Sequence, residues 1–163
     1  MTRRHAADPR ESYLYFQVMT TRWMDNDSYR HMNNTTYYSF FDTIVNQYLI
    51  EHGVLDVERG PIIGLVAETT CRYFSSIGFP AKINVGLRVG HIGSTSIRYE
   101  VGLFKDDEDV ASAQGHFVHV YVNRESGRPI AMPDALKSVA TQLMPGPEMT
   151  GLRTRLREGR TIA

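Results

Sequence analysis

The sequence predicts an α+β domain in which a five-stranded antiparallel sheet packs against one long helix. One stretch in the first third repeats its apolar residues with helical period. Runs of apolar–polar alternation follow it, a further strand precedes it, and no low-complexity linker divides the middle of the chain. The length of 163 residues suits one domain.

The first strand is read over Tyr13 to Arg22, through Leu14, Phe16 and Val18. The long helix begins near Thr35. Its apolar residues Tyr37, Phe40, Phe41, Ile44, Val45, Tyr48 and Leu49 form one wide stripe. Asn33 and Asn34 are candidate N-caps, and Gly53 after His52 is a left-handed stop. After Pro61 the period falls to two. Leu65, Ala67, Thr69, Cys71 and Tyr73 alternate with Val66, Glu68, Thr70 and Arg72. Two further runs follow, Ile83–Val89 and Ile97–Leu103, and a last strand spans about Val110 to Val122. The order suggests four strands in a meander, with a tight turn at His91–Ser94 and a hairpin tip at Lys105–Asp109. That acidic tip could hold a cation but reads better as a solvated loop. A short helix starts at Pro133 and reaches about Leu143, with proline in its first turn.

Residues 1–12 read as a disordered N-terminal segment, 13–144 as the folded domain and 145–163 as a flexible tail. The tail carries Arg153, Arg155, Arg157 and Arg160; it could meet RNA or an acidic partner, and is read as a solvated terminus. One helix covers only one face of such a sheet, so a second copy of the chain is expected to protect the rest.

Composition narrows the function classes. Eighteen basic and eighteen acidic residues give a formal net charge of zero, against the basic excess expected of a general nucleic-acid binder. No apolar run approaches the ~20 residues that span a bilayer, and no apolar segment follows the basic N-terminus. Neither nucleic acid nor membrane is therefore expected as a partner, and a cytoplasmic location is. A lone cysteine, Cys71, cannot form an internal disulfide and reads as an inert packed thiol.

The chemistry concentrates between Arg22 and Asn34. Asp25 and Asp27, then His31, then Asn33 and Asn34 lie at the start of the long helix. Unpaired amides and the positive end of the helix dipole can stabilise an oxyanion there, while a carboxylate attacks or activates water. The same residues also fit blander roles: either aspartate capping a turn, Asn33 capping the helix, His31 packed and hydrogen-bonded. No metal is expected, since no second histidine or cysteine has ligand spacing.

The string Trp-Met-Asp-Asn-Asp, three residues, then His-Met-Asn-Asn, with Tyr37 and Phe41-Asp42 beyond, resembles the hotdog-fold acyl-CoA thioesterases. Within them it is most similar to the 4-hydroxybenzoyl-CoA thioesterase-like branch, over about residues 13–143. The resemblance implies a sheet wrapped around the helix, edge-to-edge pairing into a homodimer or a dimer of dimers, and active sites at the interface. It implies hydrolysis of acyl-CoA to free acid and coenzyme A without a cofactor. Asp27 takes the place of the catalytic aspartate, as nucleophile or general base, and the Asn34 N–H that of the oxyanion donor. His31 and Asn33 hold the loop or touch the thioester, Asp25 orients the loop, and Asp42 is a weaker candidate. Trp23, Tyr37, Tyr38 and Phe41 are candidate walls for the acyl group, although an aromatic stripe at helical spacing also reads as plain core. Surface arginines Arg72, Arg88 and Arg98 are candidates for the coenzyme A phosphates. The branch often has glycine just before the histidine, where this chain has Arg30. The branch with a helix glutamate after an H-G-G motif is not matched. A non-catalytic binder of acyl-CoA or acyl carrier protein on the same fold is the alternative, and a hotdog dehydratase a third, for which the expected motif is not apparent.

Overall fold

The fold was analysed in a computed structural model, which describes residues 6–147. Five antiparallel strands form one sheet: β1 (Tyr15–Thr20), β2 (Ile62–Tyr73), β3 (Lys82–Ile92), β4 (Ser96–Lys105) and β5 (Ala113–Asn123). Two helices accompany it, α1 (Asn34–Glu51) and α2 (Asp134–Thr141). The strand order is β1-β3-β4-β5-β2, so only β3, β4 and β5 form a meander. The expected four-strand meander is corrected here. β2 lies beside β5 at one edge, and β3 pairs with β1 instead. Connector length explains the difference. Residues 93–95 close a tight β3–β4 hairpin, whereas 74–81 run across the end of the sheet before β3 begins.

Helix α1 starts with Asn33 as N-cap, whose side chain accepts from the Thr35 amide. All seven residues of the predicted stripe are buried. They pack on the inward residues of β3 and β4, among them Val85, Leu87, Val101 and Leu103, none of which is exposed. The helix stops at His52, followed by Gly53 with φ +68°, a left-handed turn that costs glycine no Cβ clash. Helix α2 adds Leu136 and Ala140 to the same core.

The edge strands depart most from simple alternation. In β1 the residues that lean on the core are Tyr15 and Met19, while Phe16 and Val18, and Leu14 just before the strand, are exposed. Apolar residues occupy both parities there, so pattern alone did not choose the face. In β2, residues 65–69 are exposed on both faces, and a bulge interrupts the ladder between Val66 and Glu68.

The N-terminal expectation also needs correction. Pro9 bridges Val110, Arg10–Ser12 form a 3-10 turn, and Asp8 and Ser12 are buried. Arg10 donates to the carbonyl oxygens of Asp106 and Glu108, pinning the acidic hairpin tip. Arg88, expected at the surface, is only 2% exposed. Its guanidinium pairs with Asp8 and with Glu100 (2.7 Å), donates to Ser12, and lies 4.3 Å over the Tyr13 ring. Arg88 points away from α1, a direction usually solvated, but the chain before β1 folds back over it. The arginine-rich tail from 148 onward lies outside the described residues.

Candidate active site

The loop between β1 and α1 is held by its own aspartates. Asp25 is buried, 3% exposed, and accepts from the Arg22 amide (2.6 Å) and from the Arg22 guanidinium (2.8 and 3.1 Å). Burial works to raise its pKa, but the Arg22 bonds outweigh this and hold the carboxyl below its ordinary value. The Asp25 carbonyl then accepts from the Asn33 amide at 2.7 Å, which sets the start of α1.

Asp27 is placed differently. Its Oδ1 accepts from the amides of Tyr29 (2.8 Å) and His31 (3.2 Å), and its amide donates to the His31 carbonyl (2.7 Å). Both side-chain bonds fall on Oδ1, leaving Oδ2 as the oxygen available to a ligand. Arg30 closes this tight loop with φ +64°, a conformation glycine adopts freely and arginine rarely. The loop is braced by the connector between β2 and β3. The Met32 amide donates to the Ile77 carbonyl, and Asn26 Oδ1 accepts from the Phe79 amide. Gly78 makes this possible, since a Cβ there would lie 2.8 Å from the Arg30 carbonyl oxygen.

A cavity of about 390 Å³ opens at the start of α1. Asp27, His31, Asn34 and Tyr37 from the predicted set line it, with Met32, Tyr73, Phe74, Ser75 and Ser76. The Thr35 and Thr36 amides are both bonded to Asn33. The Asn34 amide, first of the helix, has no intrahelical acceptor, and Asn34 lines the cavity.

The other predicted residues lie elsewhere. Asn33 works as the cap, and Asp25 as the buried anchor of the loop. Trp23 is 79% exposed and meets Phe79 edge-on, while Phe41 is wholly buried and Tyr38 stacks on Phe117. None of these three lines the cavity. Arg72 is exposed, and Arg98 pairs with Glu100 and reaches His116, on the face of the sheet away from α1. Arg88 is excluded as a surface cation by the burial already described. Asp42 is exposed, holds Asn46, and acts electrostatically on buried His119. Burial lowers the His119 pKa despite that charge, and its Nε2 has no partner among the described residues.

Sequence reasoning missed the wall at 73–76. Tyr73 was visible as the end of an alternating run, but nothing local indicated that Ser75 and Ser76 would line the same cavity as Asp27. Among the described residues, no three histidine, cysteine, aspartate or glutamate side chains are grouped to hold a metal. No helix among them is long and apolar enough to cross a membrane.

Comparison with known proteins agrees with this fold. The family model described as Thioesterase-like superfamily matches residues 21–139. The chain is 49% identical to the PA5185 protein of Pseudomonas aeruginosa strain PAO1, with a TM-score of 0.83, covering 86% of this chain and 98% of that one. It is 24% identical to the uncharacterized protein YsmA of Bacillus subtilis (strain 168), over 77% of this chain and 84% of YsmA. The fold is shared with the DHNA-CoA thioesterase of Staphylococcus aureus, at 17% identity and TM-score 0.69, covering 90% and 95% of the two chains.

Proposed function

Since the chain belongs to the thioesterase-like superfamily, we propose that it hydrolyses acyl-CoA thioesters, with the thioester bound in the cavity at the start of α1. The observation that carries the proposal is the meeting of Asp27 and Asn34, the first residue of α1, at one cavity. The thioester carbonyl oxygen accepts from the Asn34 N–H, which stabilises the oxyanion as it develops. One such donor is worth roughly 10²–10³ in turnover. The Asp27 carboxylate works from the other side. It either takes a proton from water as that water adds to the carbonyl carbon, or adds itself and forms an anhydride that water then cleaves. Both routes break the C–S bond, and the departing thiolate takes up a proton to leave as coenzyme A thiol. His31 lines the opening and holds the Asp27 loop through its backbone.

The active unit is read as a homodimer, with a dimer of dimers as its larger form. The open edge of β2 supports this: Leu65 and Val66 are each about half exposed there, beside a strand with free ladder positions. Coenzyme A phosphates would then meet Arg72 or Arg98 rather than Arg88. We read the protein as cytoplasmic and without a nucleic-acid or membrane partner; the zero net charge supports the absence of a nucleic-acid partner. Thiol release from a panel of aliphatic and aromatic acyl-CoAs tests the reading. Steady turnover of at least one class is expected. Saturable stabilisation by acyl-CoA with no thiol released would favour the non-catalytic binder instead.

A further inference from the structure

We propose that Arg30 anchors an anionic oxygen group of the substrate at the rim of the cavity, the chemistry shared by a carboxylate on the acyl group and a phosphate of coenzyme A. The inference rests on the acyl-CoA reading above and names a charge that its substrate carries. Among the described residues, two that are not glycine hold positive φ, Arg30 at +64° and Asp106 at +49°. Asp106 uses its conformation: Oδ1 accepts from the Lys82 amide at 3.2 Å, and a short polar side chain tolerates the left-handed region. Arginine has no such tolerance. The Arg30 side chain is exposed and makes no hydrogen bond, ion pair or ring contact among the described residues. Nothing in the described fold therefore requires arginine where glycine would sit without strain. A contact made only with a ligand accounts for a strained residue kept beside a cavity.

The backbone that carries the guanidinium is fixed. The Arg30 amide donates to the Asp27 carbonyl at 3.1 Å, and its carbonyl oxygen packs against Gly78, where a Cβ would come within 2.8 Å. Arg30 is not itself in the lining, but it sits between Asp27 and His31, which are, so its exposed side chain lies at the rim. Charge gives that side chain a role. Of the two arginines on the loop, Arg22 is committed to buried Asp25, which leaves Arg30 with its fork of N–H donors open. The Asp27 carboxylate repels an anionic substrate entering the cavity, and a guanidinium close by offsets that repulsion. The planar fork suits bidentate recognition of a carboxylate or a phosphate. Arg30 therefore sets which substrate is held and takes no part in the bond-breaking step.

The test uses the full chain and its Arg30→Gly, Arg30→Gln and Arg30→Lys variants, with dissociation constants for non-hydrolysable thioethers. These are S-pentyl and S-(4-carboxybutyl) derivatives, each made on coenzyme A and on pantetheine, which lacks the phosphates. Loss of one charge-assisted contact predicts about 10-fold weaker binding, in Arg30→Gly and Arg30→Gln alike, of ligands carrying the anchored anion. The matched ligand without that anion should change by less than about twofold. Arg30→Lys, which keeps the charge but not the fork, should show an intermediate loss. A loss that follows the carboxybutyl group assigns Arg30 to an acyl carboxylate, and one that follows coenzyme A assigns it to a phosphate. No loss in either neutral variant, or an equal loss for every thioether, overturns the anchor. Thiol release from pentanoyl-CoA and glutaryl-CoA separates this inference from the reading it rests on. Charge-dependent binding without thiol release supports the anchor and counts against hydrolysis, whereas thiol release with no loss in the variants overturns the anchor alone. Failure of the natural chain to bind any thioether counts against both.

Discussion

Replacing Asp25 by alanine should loosen the site without removing any reacting atom. The carboxylate is buried and accepts hydrogen bonds from the Arg22 amide and, at both of its oxygens, from the Arg22 guanidinium. The Arg22 side chain is 66% exposed. The ion pair itself therefore adds only what an exposed pair does, about 0–1 kcal/mol. The larger loss is the Arg22 amide left without its charged acceptor, about 1.5–3 kcal/mol. Together these predict a loss of about 1.5–4 kcal/mol for Asp25→Ala at pH 7, and about 1 kcal/mol for Asp25→Asn, which keeps an acceptor oxygen. The pH dependence has a definite sign. The folded carboxyl sits below its ordinary pKa, so its contribution is present above the unfolded value of about 3.9 and is lost as the pH falls below it. Urea denaturation of both variants between pH 3 and 7 is the assay. An Asp25→Ala protein within about 0.5 kcal/mol of the natural chain at pH 7 would refute the anchoring role, since that is the scatter of neutral surface substitutions.

Two other residues give independent checks. Arg30→Gly relieves a left-handed residue, worth about 1–2 kcal/mol, against a glycine entropy cost of about 0.4–1 kcal/mol, so a net gain of about 0.5–1 kcal/mol is expected in the same denaturation experiment. A clear loss would show that the Arg30 side chain contributes something its backbone does not. Burial pushes the Cys71 thiol up to about 11. At pH 8 only about one thiol in a thousand is then ionised, and alkylation by iodoacetamide should be about 100-fold slower than for free cysteine. Alkylation at the free-thiol rate would contradict that burial.

The long helix and the inner strands were legible because their patterns are redundant. Seven stripe residues from Tyr37 to Leu49 agree on one helix face, and Ile83 to Val89 and Ile97 to Leu103 each repeat one sheet face. The edges carried no such redundancy. β1 has apolar residues of both parities, and the pairing of β2 with β5 depends on contacts between residues far apart in the chain. Arg88 shows the same limit from another side: its burial comes from Asp8 and Ser12, whose folding no local signal announces. In the site, the spacing of Asp27, His31 and Asn34 identified the near wall of the cavity. The far wall, Tyr73 to Ser76, arrives through tertiary packing of the β2 end against the loop.

The most direct test of the proposed chemistry is thiol release by Asp27→Asn. The new side chain still offers Oδ1 to the Tyr29 and His31 amides, so the loop should persist and stability should change by less than about 0.5 kcal/mol. Only the basic, nucleophilic oxygen is lost. The predicted result is an acyl-CoA turnover number lowered by about 10²–10⁴ in a protein that melts like the natural chain. Turnover within threefold of the natural chain in that folded variant would contradict the assignment of Asp27 to the reaction.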